Sequence, residues 1–265
     1  MASLDEIRQQ GSTLRGVLGL ATWPIGIRFC SRGEQCGGSG FKRPYRDLGI
    51  RVAFCQAINI ARTYGWKLAI GLEDSYCMIG AEALGLTKTY LDYIDRDIPK
   101  WHTSDKGAME RIVSVIHARF LEPGSTELVL ISPLDRIDFE PHVVVIYGLP
   151  AQIATVAKAL IWNGVVPGEI TYIGMASCTL IPYSHKYGKV QINIPGTGEL
   201  ILGRTESHEM SIVIPAKYLH LIIPGIEAVK KIHLYPLAKF SLYEPKVPKW
   251  YEELTFDYYK KSVDQ

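Results

Sequence analysis

Apolar and polar positions alternate along this chain with two periods. Near the N-terminus Leu4, Ile7, Leu14 and Leu18 recur at helical spacing, predicting an amphipathic helix over residues 3–19. Residues 23–29 read as a strand, and residues 31–40, with four glycines beside Cys36, read as a loop. Val52, Cys55, Ile58 and Ala61 predict a helix over 50–64 that stops at Gly65. A strand follows over 67–72 and a short helix over 77–86. Further on, residues 105–118 and 151–162 read as helices, and 127–132, 143–147, 170–173 and 211–214 as strands. Residues 190–194 and 200–203 read as a hairpin around Gly196-Thr197-Gly198. Pro224 is expected to divide residues 216–232 into two short helices.

The strands at 143–147 and 67–72 lack polar alternation, which predicts central strands covered on both faces. The expectation is an α/β fold: a mixed, largely parallel sheet flanked by helices, forming one domain over residues 1–233. Residues 234–265 are rich in Tyr, Pro and Lys and read as a C-terminal aromatic arm. Trp250, Leu254 and Tyr258 share a helical face there, so the arm is expected to pack on its own chain or on a second copy in a homo-oligomer. An order of helix, turn, strand and cysteine occurs twice, at Cys55-Gln56 to Cys77 and at Ala151-Gln152 to Cys178. Two related helix–strand units would explain it, and so would chance likeness of generic pieces.

Composition narrows the function classes. Net charge is +2 with no phosphate-tracking basic run, which argues against nucleic acid as a partner; Lys42, Arg43 and Arg46 read as a solvated loop. No apolar stretch is long enough for a membrane span, and residues 1–6 lack the pattern of an export signal. The expected compartment is the reducing cytoplasm. Five cysteines then read as thiols or metal ligands rather than as a disulfide framework. No phosphate-binding loop, dinucleotide fingerprint or serine elbow is present, so no nucleotide cofactor is indicated.

Cys55, Cys77 and Cys178 each stand at a predicted junction between elements, where helix N-termini favour thiolates. Three thiolates and an external ligand would suit an iron–sulfur cluster or zinc; three buried small hydrophobes are the alternative. Cys30 and Cys36 read as two loop thiols, with a small disulfide or a fourth ligand as other readings. Glu73 and Asp74 end a strand just before Cys77, as general-base candidates or as acids complementing the next helix. Arg204 is a candidate clamp for a small acidic ligand, or a structural partner of Glu209. His142 and His185 lie nearest the predicted site edges and read as surface or satisfied residues.

Three blocks carry a family resemblance: Cys55-Gln56-Ala57 with Ala61-Arg62, then residues 73–77 with Gly80 and Leu84-Gly85-Leu86; residues 141–147 with Pro150-Ala151-Gln152; and Gly203-Arg204 with Glu209-Met210 and Ile214-Pro215. Together they resemble the uncharacterised family known as domain of unknown function 169 (ArCR), over residues 20–230. The resemblance implies an archaeal-type protein of anaerobic metabolism with no established biochemical role. Members usually carry a cysteine before the Gly-x-Arg of the third block. Residues 193–204 hold none here, so a family site using that thiol would have lost or replaced a ligand. The combined expectation is a metal- or iron–sulfur-binding protein, a redox or lyase-type enzyme, with Cys55, Cys77 and Cys178 as ligands and Glu73, Arg204 and Glu209 as catalytic candidates. A metal-free module for small acids and a homo-oligomeric assembly protein are the alternatives.

Overall fold

The computed structural model describes residues 3–36, 38–90, 105–168 and 177–230, with 103, 170, 171 and 253 besides. The chain forms two compact units, Met1–Tyr235 and Pro236–Gln265. The second, like the expected packing of the aromatic arm, lies outside the described residues save for residue 253.

The first unit is built on one sheet of seven strands in the order β2-β3-β1-β4-β7-β6-β5. These are β1 (Ile25–Cys30), β2 (Leu68–Ile70), β3 (Leu128–Pro133), β4 (Val143–Gly148), β5 (Ile170–Thr171), β6 (Gln191–Asn193) and β7 (Met210–Pro215). Every pairing from β2 to β6 is antiparallel, and the two-residue β5 alone adds a parallel pair, with β6. The expected largely parallel sheet is therefore wrong. All six residues of β4 are buried, as a central strand requires. Apolar runs of this kind report that both faces of a sheet are covered, and carry no information on strand direction when helices cover an antiparallel sheet. β2 is likewise buried, yet it sits at the end of the strand order rather than at the centre, with a bridge to Lys42 beyond it among the described residues.

Helices cover both faces. One face carries α1 (Leu4–Leu18), α6 (Pro150–Trp162) and α9 (Leu219–Val229), packed on Val144, Ile146, Ile212 and Ile214. The other carries α3 (Phe54–Tyr64), α4 (Met78–Ala83) and α7 (Leu180–Tyr187), around Ile25, Ile27, Val145 and Val213. Three further helices are the short α2 (Pro44–Leu48) and α8 (Thr197–Ile201) and the longer α5 (Lys106–His117). α1 starts where Ser3 and Glu6 cap each other, with Ile7, Leu14 and Leu18 buried on one face.

Three local expectations are corrected. α9 runs unbroken through Pro224, which removes one backbone donor while the adjacent Gly225 presses on Ala159 of α6: a Cβ at Gly225 would meet the Ala159 oxygen at 2.4 Å. The second strand of the 190–203 hairpin is the helix α8 instead, because Glu199, its third residue, reaches back to the Gly196 N–H at 3.2 Å. The repeated order of helix, strand and cysteine does not make two related units. Its two strands, β2 and β5, run in opposite directions in the one sheet, so a twofold axis relating them would pass through the sheet and leave α3 and α6 on one face, whereas they pack on opposite faces.

Candidate functional site

Three cysteines carried by distant segments lie within one another's electrostatic reach near the end of the sheet where β4 reaches Tyr147. Cys55 is the second residue of α3, Cys77 is the N-cap of α4, and Cys178 lies in the turn Ser177–Thr179 that leads into α7. The Ser177–Thr179 turn packs on α4 and on α8, and α3 packs on α8. Cys55 is buried; Cys77 and Cys178 are half-buried. Cys55 donates its thiol proton to the Gly198 carbonyl at 3.4 Å. Gly203 allows that approach, since a Cβ there would stand 2.7 Å from the Glu199 oxygen and 3.2 Å from the Cys55 Cβ.

Burial pushes the Cys55 thiol up to about 12, helped by the nearby Cys77 and Glu199. Burial also raises Cys178, with Cys55, Cys77 and Glu199 adding to it. Cys77 is raised by burial, against hydrogen bonds from the Gly80 and Ile79 N–H groups that favour its thiolate. Each sulfur thus lies within the field of another. At the rim, burial and the charges of Cys55 and Cys77 raise the Tyr76 phenol. A metal-free site holds its thiols protonated, and a soft cation displacing those protons would restore the charge balance. Among the described residues, no group of three or more His, Cys, Asp and Glu side chains is already drawn together at metal-holding distance.

Behind the thiols lies a buried polar layer. Glu199 accepts from the Tyr147 hydroxyl at 2.7 Å and the Asn193 amide at 2.9 Å. The Arg62 guanidinium lies 4.3 Å over the Tyr147 ring and binds Glu209 through two hydrogen bonds, at 2.7 and 2.8 Å. Burial alone would raise the Glu209 carboxyl, but the hydrogen bonds and charge of Arg62 outweigh it and hold it low.

The other expected site residues are placed as follows. Arg204 is exposed, with a left-handed backbone at φ 50°. Glu209 is engaged by Arg62, and among the described residues no ion pair joins it to Arg204. Glu73 is mostly exposed and pairs with Arg43 at 2.7 Å; Arg43 also binds the fully buried Asp74 at 2.8 Å. Arg43 is therefore a structural clamp rather than a solvated loop charge. Cys30 and Cys36 form a disulfide, not two loop thiols. Cys30 ends β1 beyond the point where β1 meets the first residue of β4, so that pair stands away from Tyr147 and supplies no ligand to the three thiols.

Sequence reading missed Glu199, Tyr147 and Arg62. The signal for Glu199 was its place three residues after Gly196, the spacing of a helix start. For Tyr147 and Arg62 the signal was their place in the family blocks, which named no contact, because their contacts join strands and helices far apart in the chain.

No helix among the described residues is long and apolar enough to cross a membrane. Neither the curated proteins nor the solved structures contain a significant match to this chain. The sequence profile of one family does match, over residues 13–225, and its span holds all three free cysteines together with Arg62, Tyr147, Glu199 and Glu209. The chain belongs to the family of domain of unknown function 169, described as uncharacterised ArCR.

Proposed function

We propose that Cys55, Cys77 and Cys178 hold a thiophilic metal centre, an iron–sulfur cluster or zinc, in a redox or lyase-type enzyme. The observation that carries this reading is the convergence of three sulfurs from three separate segments, each at the start of a helix and each within the field of another. Backbone N–H groups on the Cys77 sulfur favour the thiolate form that a metal requires. Binding would draw the sulfurs together and displace their protons. Three protein ligands leave a fourth position for a substrate or a non-cysteine side chain. When bound, a metal supplies Lewis acidity or electron transfer at that position. The chain's own contribution is the neighbouring Glu199 carboxyl, held by Tyr147 and Asn193.

The test is anaerobic purification followed by iron, sulfide and zinc analysis of the native protein and of Cys55→Ser and Cys178→Ser. The reading expects a stoichiometric metal that both substitutions remove while the fold, followed by circular dichroism, persists. A metal-free native protein that also fails to take up iron and sulfide or zinc on reconstitution sinks it.

A further inference from the structure

A second candidate site lies at the other end of β4. Five residues separate His142, just before β4, from Tyr147, a span of about 17 Å at the usual rise of a strand. A cleft of about 680 Å³ opens beside His142, within the size range of small-molecule sites. Its walls come from α1, the ends of α7 and β7, and the first turn of α9.

The lining has three kinds of chemistry. Ile7, Pro141, Pro215 and Leu219 give it an apolar surface. The rings of His142 and His185, which also line it, stack on each other at 4.3 Å, 9° from parallel, and both stack with Phe29. The Phe29 N–H donates to Nδ1 of His142 at 3.2 Å, so the neutral ring carries its proton on Nε2. Burial lowers both imidazoles, and in His142 the neighbouring His185 and Arg28 add to this, which keeps the stack uncharged at neutral pH. Charge enters from the rim. Arg28 is engaged by Glu34 at 2.8 Å and by the Glu140 carbonyl at 3.0 Å. Lys217 has no carboxylate partner among the described residues, and its amine lies 4.9 Å from the Tyr218 ring; the exposed Glu140 and His220 line the same cleft.

We propose that this cleft binds a small organic carboxylate with an apolar body. The carboxylate pairs with Lys217, and the body packs against Ile7, Pro141, Pro215 and Leu219 beside the His142–His185 stack. Lys217 supplies the cation that an anion needs while the imidazoles stay neutral, and the apolar walls select against a fully hydrated anion such as inorganic phosphate. This site is separate from the three thiols and does not depend on their binding a metal.

The test is calorimetric titration of the full chain at neutral pH with 4-hydroxyphenylacetate as the probe. Acetate, which lacks the body, 4-methylphenol, which lacks the charge, and inorganic phosphate are the comparisons. The proposal expects saturable one-to-one binding of the probe, with Kd of about 1 mM or tighter. It expects each comparison, and the exposed substitution Lys217→Met, to weaken binding about tenfold or more, the scale of one charge-assisted hydrogen bond. Proton NMR should show the His142 and His185 ring signals moving on titration. Absence of saturation by about 10 mM, a level that a site weaker than a typical metabolite pocket would miss, overturns the proposal. Equal binding of 4-methylphenol, unchanged binding by a folded Lys217→Met, or ring signals that stay fixed also overturns it.

Discussion

The Tyr147 hydroxyl donates to Glu199 at 2.7 Å, both residues being buried. This bond ties the end of the central strand to the helix that Cys55 touches. Replacing Tyr147 with Phe leaves a buried carboxyl oxygen without its donor, at a cost of about 1–3 kcal/mol. Urea unfolding should report that loss. Glu199→Gln should lower the titration of the Cys55 and Cys178 thiols, because Glu199 contributes to raising both. Thiol absorbance followed against pH reads the shift; an unmoved titration would remove Glu199 from the electrostatics of the site.

Arg62 and Glu209 form a pair almost closed to solvent, with side chains 3% and 9% exposed. Breaking such a pair from one side strands the other charge. Arg62→Met or Glu209→Gln should therefore destabilise the protein by about 3–5 kcal/mol, and the double replacement Arg62→Met with Glu209→Met should recover much of it. A double variant as unstable as the sum of the singles would mean that other contacts, such as Arg62 with Asn59 at 3.0 Å, dominate.

Much of this architecture was legible in the sequence, and what was not has a physical reason. The helical periods at Leu4–Ile7–Leu14–Leu18 and Val52–Cys55–Ile58–Ala61 reported buried faces, and α1 and α3 stand there. The β-branched run of β4 reported burial on both faces, which is real, but burial is silent on direction, and direction was misread. Gly196-Thr197-Gly198 looked like a turn because glycine marks turns and helix starts alike; the deciding contact, Glu199 to Gly196, is three residues away. The cysteines could be selected by their junction positions. The layer behind them could not, since Arg62 with Glu209 and Tyr147 with Glu199 are pairings that only the completed sheet brings about.

Cys55 should be inert as a nucleophile in the metal-free protein. Its thiol is raised from 9.0 to about 12, so at pH 8 the native state carries about a thousandfold less thiolate than the unfolded chain. Iodoacetamide labelling read by peptide mass should be slow at Cys55 in native protein and rapid in urea. The linkage has a definite sign: a raised folded value gives stability that is complete below pH 9 and is lost as pH climbs from 9 toward 12. Rapid native labelling at pH 8 would contradict the buried, protonated thiol.

The disulfide joins residues six apart and closes the loop that carries Glu34. Glu34 accepts from the Ser31 N–H at 2.8 Å and from Arg28 at 2.8 Å, so the loop holds the guanidinium at the wall of the cleft. Cys30→Ala with Cys36→Ala should cost about 2 kcal/mol, the loop-closure value for so short a ring. In denatured, unreduced protein a thiol count should find three free cysteines rather than five. Five would show that the bridge is absent.

Stability should also fall on the acid side, through His142. Burial, with His185 and Arg28 beside it, lowers this imidazole from 6.5 to about 4, against a smaller opposing pull from Glu34. In the folded protein Nδ1 is occupied by the Phe29 N–H, so protonation there requires that bond to break. Below pH 6.5 the unfolded chain gains a proton that the native state refuses. A depressed folded value therefore gives stability that is complete above pH 6.5 and is lost as pH falls toward 4, below which the loss levels off. At about 1.4 kcal/mol per pH unit, the total is on the order of 3 kcal/mol. His185, lowered by burial, acts in the same direction. Urea midpoints measured between pH 7 and pH 4 should decline in the native protein and decline less in His142→Gln, which keeps an acceptor for Phe29 without the titration. Equal slopes in the two proteins would show that the acid loss arises elsewhere, and would remove the neutral imidazole stack from the description of the cleft.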